Sequence, residues 1–557
     1  VSAYWRGPLL ILNGMASTRL IDRAANRVLR LPPPTTPYRV HRGLRVPMRD
    51  GVELIADHYV PTTASPRGTI LVRGPYGRAF PFSIIYAQIY AARGYHVVFQ
   101  SVRGTFGSGG RFEPMINEAA DAADTVAWLR EQPWFTGTFA TLGLSYLGYT
   151  QWALMSDPPP ELVAAIVTVG PHDLHESSWG TGSFALGDLL GWSDMVANQE
   201  SHPIRRVAFQ FRAARRLAGA VHGVPLGGAA RALLGDGSPW FESWVERPEG
   251  DDPFWKDLRM TSALERATVP VLLLSGWQDI FLDQTLTQYR HLRGRGVDVA
   301  LTIGPWTHDQ MVTTAAGTAA TETLAWLDTH LAGKPATPRA APVRVFITGQ
   351  ARSGWVDLPM WPPATAAKAL YLQAGGRLES AAPPTGASTF RFNPADPTPT
   401  VGGRLLARPS GYSDDTDLAR RPDVLSFTGA PLGAEVCVCG IPVIDLAYET
   451  DNDHFDVFVR ISEVDARGRS RNVSDGYRRF STLPDEPIRI ELDPIAHRFS
   501  AGSRIRVLIA GGCHPRFARN LGTGESVLHG ERMVATTHTV RHGESSMLIL
   551  PVGEPGV

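Results

Sequence analysis

An α/β fold joined to a second, all-β region is what this 557-residue sequence predicts, on three observations. Up to Lys334, short apolar runs rich in Val, Ile, Leu and Ala alternate with helical patterns. That alternation marks a parallel sheet covered on both faces. From there on, short strands recur between turns rich in Pro and Gly, a β-sandwich texture. Finally, Gly143-Leu144-Ser145-Tyr146-Leu147-Gly148 lies between a strand-like run and a helix-like one. A serine on such a turn has its hydroxyl pushed clear of the sheet, and the next backbone N–H is free to bind an oxyanion.

The elements follow in order. Met15-Ala16-Ser17 reads as a native start, with Val1–Gly14 upstream of it. Ser17–Leu31 is expected to be helical, with Leu20, Ile21, Ala24, Val28 and Leu29 on one face, and Pro32-Pro33-Pro34 stops it. Residues 1–37 therefore form an N-terminal extension. Leu44–Met48 and Val52–Tyr59 are strands joined at Arg49-Asp50-Gly51, a hairpin signal. Further strands are expected at Thr69–Val72, His96–Gln100, Phe139–Leu142, Ala164–Val169, Val269–Leu274 and Val299–Ile303. Ala119, Ala122, Val126 and Leu129 give Glu118–Gln132 helical spacing. The catalytic domain is assigned to 38–174 and 254–335.

Residues 175–253 interrupt the alternation. They carry Trp179, Phe184, Leu186, Leu189, Leu190 and Trp192, then helical patterns at Val207–Leu217 and Ala229–Leu234. A helical insertion at the C-terminal edge of a sheet forms a cap over the site there. Residues 336–557 are read as the sandwich. Its strands are expected at Val343–Ile347, Leu370–Leu372, Val424–Phe427, Glu435–Val438, Phe455–Ile461, Ile488–Leu492, Ile505–Ile509 and Met547–Leu550, with a hairpin turn at Asp465-Ala466-Arg467-Gly468.

Composition narrows the function. Apolar residues make up 43% and charged residues 19%, and 54 basic residues balance 54 acidic ones. No basic excess points to nucleic acid, and no apolar run reaches the length of a membrane span. Three cysteines cannot build a disulfide framework. Cys437 and Cys439 share one face of a strand and, with Cys513, are expected as small buried hydrophobes. A cytoplasmic location is expected, with secretion left open by the N-terminus. No cofactor or metal is expected: His172-Asp173-Leu174-His175 lacks a third placed ligand, and Asp451-Asn452-Asp453 lacks the glycine and glutamate of a calcium loop.

A nucleophilic serine needs a base and an orienting acid, which in an α/β-hydrolase follow in the order Ser, acid, His on loops after strands. Asp279 follows the strand that ends near Ser275, with Asp283 a turn further on as competitor. His308 follows the next strand through Gly304-Pro305-Trp306-Thr307. For the oxyanion, the Tyr146 N–H is one donor. The loop Gly74-Pro75-Tyr76-Gly77-Arg78 has no His-Gly-Gly run, so the Tyr76 hydroxyl is the second candidate, against a role in packing the pocket wall.

These motifs resemble the cocaine esterase and X-prolyl dipeptidyl-peptidase family of serine hydrolases, often labelled CocE/NonD. The matching stretches are Met48–Leu54, Arg73-Gly74-Pro75-Tyr76, Gln100–Thr105, Ala127-Trp128-Leu129 with Gln132-Pro133-Trp134, Gly143–Trp152, Ser275–Asp279 and Gly304–His308. Asn472–Gly476 and His497–Gly502 extend the likeness to the end of the chain, and residues before Tyr38 lie outside it. The family elbow is Gly-x-Ser-Tyr-x-Gly, so Leu147 fits it, while Ser101 stands where the family has aspartate. The resemblance implies an α/β-hydrolase with a helical cap and a C-terminal jelly roll. It also implies Ser145, Asp279 and His308 as triad, with Tyr76 and the Tyr146 amide as oxyanion donors.

Trp134, Trp152, Trp179, Trp277 and Trp306 suggest an aromatic, apolar pocket, hence a serine hydrolase of carboxylic esters. The alternative is an X-Pro dipeptidyl aminopeptidase, or an amide hydrolase or acyltransferase, using the same triad. An aminopeptidase must hold a free ammonium with a carboxylate, for which Asp188 and Asp194 are candidates. The expected partner is a small-molecule ester or amide, and homo-oligomerisation is left open.

Overall fold

The computed structural model describes residues 23, 26–201, 215–334 and 339–554. Residues 1–22 fall outside these, as do most of the helices expected over 17–31 and 207–217.

Among the described residues the central sheet contains β1 (Tyr38–Pro47), β2 (Glu53–Pro61), β3 (Thr69–Gly74), β4 (His96–Ser101), β5 (Phe139–Leu144), β6 (Leu162–Thr168), β7 (Val271–Gln278), β8 (Val299–Thr307) and β9 (Val343–Gly349), with Gly354–Leu358 added antiparallel to β9 at its edge. Pairing gives the spatial order β1-β2-β4-β3-β5-β6-β7-β8-β9. The β1–β2 and β2–β4 pairs are antiparallel, and every pair from β4 to β9 is parallel. Strands β3, β4 and β7 are buried along their whole length, as near-continuous apolar runs in a doubly covered sheet must be.

Helices pack on both faces. They include α1 (Glu118–Arg130), α2 (Tyr146–Met155), α8 (Leu282–Gly294) and α9 (Ala316–His330). Two apolar cores result, one around Val126, Tyr149, Trp152, Leu273 and Leu292, the other around Ile70, Tyr90, Ile166, Leu272 and Leu327. Between β6 and β7 lie α3 (Leu174–Trp179), α4 (Leu186–Asn198), α5 (Leu226–Leu234), α6 (Trp240–Val245) and α7 (Thr261–Arg266), with no strand among the described residues there.

After β9 the chain turns β-rich. Phe455–Val464 pairs with Ser470–Phe480 and with Arg504–Ala510, and Gly468 takes a positive φ of 83° in the hairpin turn. This region has its own core around Phe427, Val459, Ile461, Val507 and Leu548. The strands expected there are present, with one correction: Val343–Ile347, assigned to the sandwich, is β9 of the central sheet, pairing parallel with β8, because its apolar run continues that sheet past β8. The sequence reading missed Gly386–Phe392, Thr536–His542 and Tyr448–Thr450, which form a separate small sheet. Their polar, alternating sequences expose one face and so lack an apolar run. Cys437 and Cys439 are buried on one strand with their sulfurs 3.7 Å apart. No helix among the described residues is long and apolar enough to cross a membrane.

Candidate active site

Ser145 sits between β5 and α2 with φ 59° and ψ −121°, a conformation that costs an ordinary residue on the order of 1–3 kcal/mol. Packing imposes the turn. A Cβ on Gly143 would lie 2.4 Å from Leu147 Cβ, and one on Gly148 would lie 2.5 Å from Gly170 Cα. Only hydrogen fits at either place, which explains why the second glycine comes three residues after the serine. The Ser145 N–H is tied to the Thr168 carbonyl at 2.9 Å, fixing the turn against β6. Tyr146 opens α2, so its N–H is among those a helix leaves without an internal partner.

Asp279 and His308 follow the ends of β7 and β8, which are hydrogen-bonded neighbours in the sheet. Parallel neighbours end at the same edge, so the two side chains meet: His308 Nδ1 lies 2.7 Å from Asp279 Oδ2. The other carboxylate oxygen accepts the Phe281 N–H at 2.7 Å, and both residues are buried. Phe281 stacks edge-on against the imidazole, centroids 5.5 Å apart. Asp283, the competitor, turns outward to Arg404 at 2.8 Å.

A cavity of about 500 Å³ opens over Ser145. Tyr76 and Tyr146 line it from the sheet side, Asp188, Leu189 and Trp192 from α4, and Trp244 from α6. Phe281 adds the wall that touches His308, and Arg404, Leu406, Tyr477 and Phe517 come from the β-rich region. The Tyr76 phenol accepts the Trp192 indole N–H at 3.0 Å and lines the cavity together with Ser145. Burial pushes the Tyr76 phenol up to about 12, so it stays protonated and able to donate. The Tyr146 phenol donates to Glu118 at 2.8 Å, and Glu118 in turn pairs with buried Arg73 at 3.1 Å.

The tryptophan expectation is corrected. Among the described residues that line the cavity, none of the five appears. Trp152 is core beneath α2, and Trp134 stacks on His58 and His96. Trp179 donates its indole N–H to the Trp244 carbonyl, and Trp277 donates to the Phe346 carbonyl. Trp306 packs on Trp355. Each sits beside a motif in sequence, but Trp152, Trp179, Trp277 and Trp306 are buried away from the cavity, and Trp134 lies half-buried on a turn. The cavity's indoles are Trp192, Trp244 and Trp361. Helical spacing flagged Trp192 as apolar without saying which side of the cap it faces.

Of the two cap carboxylates, Asp194 pairs with Arg216 at 2.7 Å, whereas Asp188 faces the cavity. Burial raises the Asp188 carboxyl to about 6, opposed by the Leu406 N–H at 2.8 Å and the Arg516 charge. Behind it, Arg404 pairs with Asp283 and Asp493, both at 2.8 Å, and Arg516 pairs with Asp475 at 3.0 Å. Nothing local in the sequence marked Arg404, Asp493 or Arg516, because their role exists only once distant segments meet. Ser101 receives a hydrogen bond from Arg78, which also pairs with Asp57 at 3.3 Å, so the serine still anchors the Tyr76 loop. Among the described residues, no cluster of three His, Cys, Asp or Glu is placed to hold a metal ion.

A parallel sheet that presents a strained serine at its central strand-to-helix turn, beneath a helical cap, defines an α/β-hydrolase. Comparison with known proteins narrows the class. Residues 50–310 match the family described as X-Pro dipeptidyl-peptidase (S15 family), and residues 336–548 its C-terminal non-catalytic domain. Cocaine esterase from Rhodococcus sp. (strain MB1 Bresler) is 30% identical over 572 aligned positions, which span 92% of this chain and 99% of that protein. The chain belongs to this cocaine esterase and X-Pro dipeptidyl-peptidase (CocE/NonD) family of serine hydrolases.

Solved structures share the fold. An aminopeptidase from a marine sediment Thaumarchaeota archaeon superposes with a TM-score of 0.79 at 23% identity, covering 93% of this chain and 96% of that one. An α-amino acid ester hydrolase gives 0.78 at 23%, covering 93% and 97%. A CocE/NonD family hydrolase from Staphylococcus aureus gives 0.69 at 18%, covering 93% and 94%.

Proposed function

We propose that the chain hydrolyses carboxylic esters through a covalent acyl-enzyme, with Ser145 as nucleophile, His308 as base and Asp279 as the orienting acid. The observation that carries this reading is the buried 2.7 Å contact between His308 Nδ1 and Asp279. It fixes the imidazole tautomer and leaves Nε2 for proton transfer. Ser145 attacks the carbonyl carbon while His308 takes its proton, and the new oxyanion receives hydrogen bonds from the Tyr76 hydroxyl and the Tyr146 N–H. Collapse expels the alcohol, protonated by His308, and water repeats the sequence to release the acid. The aromatic walls at Trp192, Trp244 and Phe281 favour a bulky apolar acyl or alcohol group.

A specific observation supports a second reading. Asp188 is a carboxylate inside the cavity, so substrates carrying a cationic amine, including peptides or amides with a free ammonium, have a partner there. The test compares p-nitrophenyl esters with Gly-Pro-p-nitroanilide, using Ser145→Ala as control and a fluorophosphonate probe to label Ser145. Ester turnover that persists undiminished in Ser145→Ala would end the proposal. Turnover of the anilide in preference to every ester would replace it with the second reading.

A further inference from the structure

We propose that Trp192, on the cap, is a positioning residue of the oxyanion hole: its indole N–H takes up a lone pair of the Tyr76 oxygen and so aims the phenol's single hydrogen toward the reacting carbonyl. The inference rests on the reading of Tyr76 as an oxyanion donor.

An indole N–H only donates, whereas a phenol has one hydrogen and an accepting oxygen. At 3.0 Å the Trp192–Tyr76 contact therefore runs from indole to phenol, and the phenol hydrogen is excluded from that side. Tyr76 and Ser145 line the same cavity, so the hydrogen is left for the Ser145 side, where the substrate carbonyl will sit. A phenol hydroxyl otherwise divides between two in-plane orientations of equal energy, and a donor that must reorient during reaction loses much of its advantage.

Trp192 is itself held in place. Its ring lies parallel to that of Tyr146, 9° between planes and 6.3 Å between centroids, and it stacks on Trp244 at 6.0 Å. The Tyr146 ring is pinned by Glu118. One cap residue thus touches both residues that supply oxyanion donors, and donor alignment depends on the cap being seated.

The experiment is a double-mutant cycle on the full chain. Trp192→Phe removes the N–H, and site-specific 3-benzothienylalanine at 192 removes it while keeping the ring shape. Each is measured alone and in the Tyr76→Phe background, with p-nitrophenyl acetate, whose small acyl group makes little demand on the aromatic walls. The expected result is a fall in kcat of about tenfold or more for both replacements, with KM within threefold. In the Tyr76→Phe background the same replacements should change kcat less than twofold. Equal losses in both backgrounds would show that Trp192 acts through packing or substrate contact, and would overturn the proposal. So would an unchanged kcat in the benzothienyl protein. If Tyr76→Phe alone leaves kcat unaltered, the donor assignment of Tyr76 falls first, a failure the single variant reports separately.

Discussion

Asp188→Asn separates a substrate-binding carboxylate from a structural one. The suitable probes are a p-nitrophenyl ester whose acyl chain ends in a trimethylammonium group and its tert-butyl isostere, since the cation is permanent and only the enzyme titrates. Two unit charges 5 Å apart interact by about 3 kcal/mol at an effective dielectric of about 20. Desolvation and the nearby Arg516 charge offset roughly half of that, leaving about 1.4 kcal/mol, or tenfold. In the unaltered protein the kcat/KM ratio of cationic to neutral ester should therefore be about ten at pH 8. Because the Asp188 carboxyl lies near 6, only about a tenth of it is ionised at pH 5, and the ratio should fall to about two there. Taking the ratio cancels any pH dependence the two esters share. In Asp188→Asn the ratio should be near one at both pH values. A ratio that is flat with pH in the parent, or that survives the substitution, would refute the placement of a substrate cation at Asp188.

Three further outcomes follow from the packing. Gly148→Ala should cost about 3 kcal/mol or more and abolish activity, because its Cβ would lie 2.5 Å from Gly170 Cα, and backbone cannot give way. Gly228→Ala, in α5 with nothing within 4 Å, should instead stabilise by about 0.5–1 kcal/mol, so urea denaturation of both tests the steric argument. Glu118→Gln leaves buried Arg73 without its countercharge and should cost about 3–5 kcal/mol on the same assay. Finally, stability should fall with acid between about pH 6.5 and 4. Burial lowers His58 and His514 to about 3 and His172 and His538 to about 4, so the unfolded chain binds protons the folded one refuses. Asp188 and Asp493, raised by burial, act in the opposite sense in the folded form. These six groups together differ by about two protons near pH 5, or about 3 kcal/mol per pH unit, and a flat denaturation midpoint across that range would contradict it.

What the sequence reveals about such a molecule depends on how local the cause is. The elbow at Ser145 is legible because two glycines at fixed spacing answer backbone contacts made within a few residues and one neighbouring strand. Asp279 and His308 are legible because parallel strands deliver their following residues to one edge, and β7 and β8 announce themselves as apolar runs. The pocket lining is not. Trp152 and Trp192 look alike in a sequence, and only the packing of α2 and α4 sends one into the core and the other to the cavity. Asp188 and Asp194 are likewise equivalent until Arg216 takes the second.

Arg404, Tyr477 and Phe517 carry a last consequence, since they wall the cavity from a stretch of chain that begins only after the hydrolase sheet is complete. Severed past residue 358, after the last strand of that sheet, the polypeptide would keep Ser145, Asp279 and His308 but leave the cavity an open trough. On the proposed reading, substrate preference is then a trait that can be exchanged by grafting a different C-terminal half, with Ser145, Asp279 and His308 left untouched.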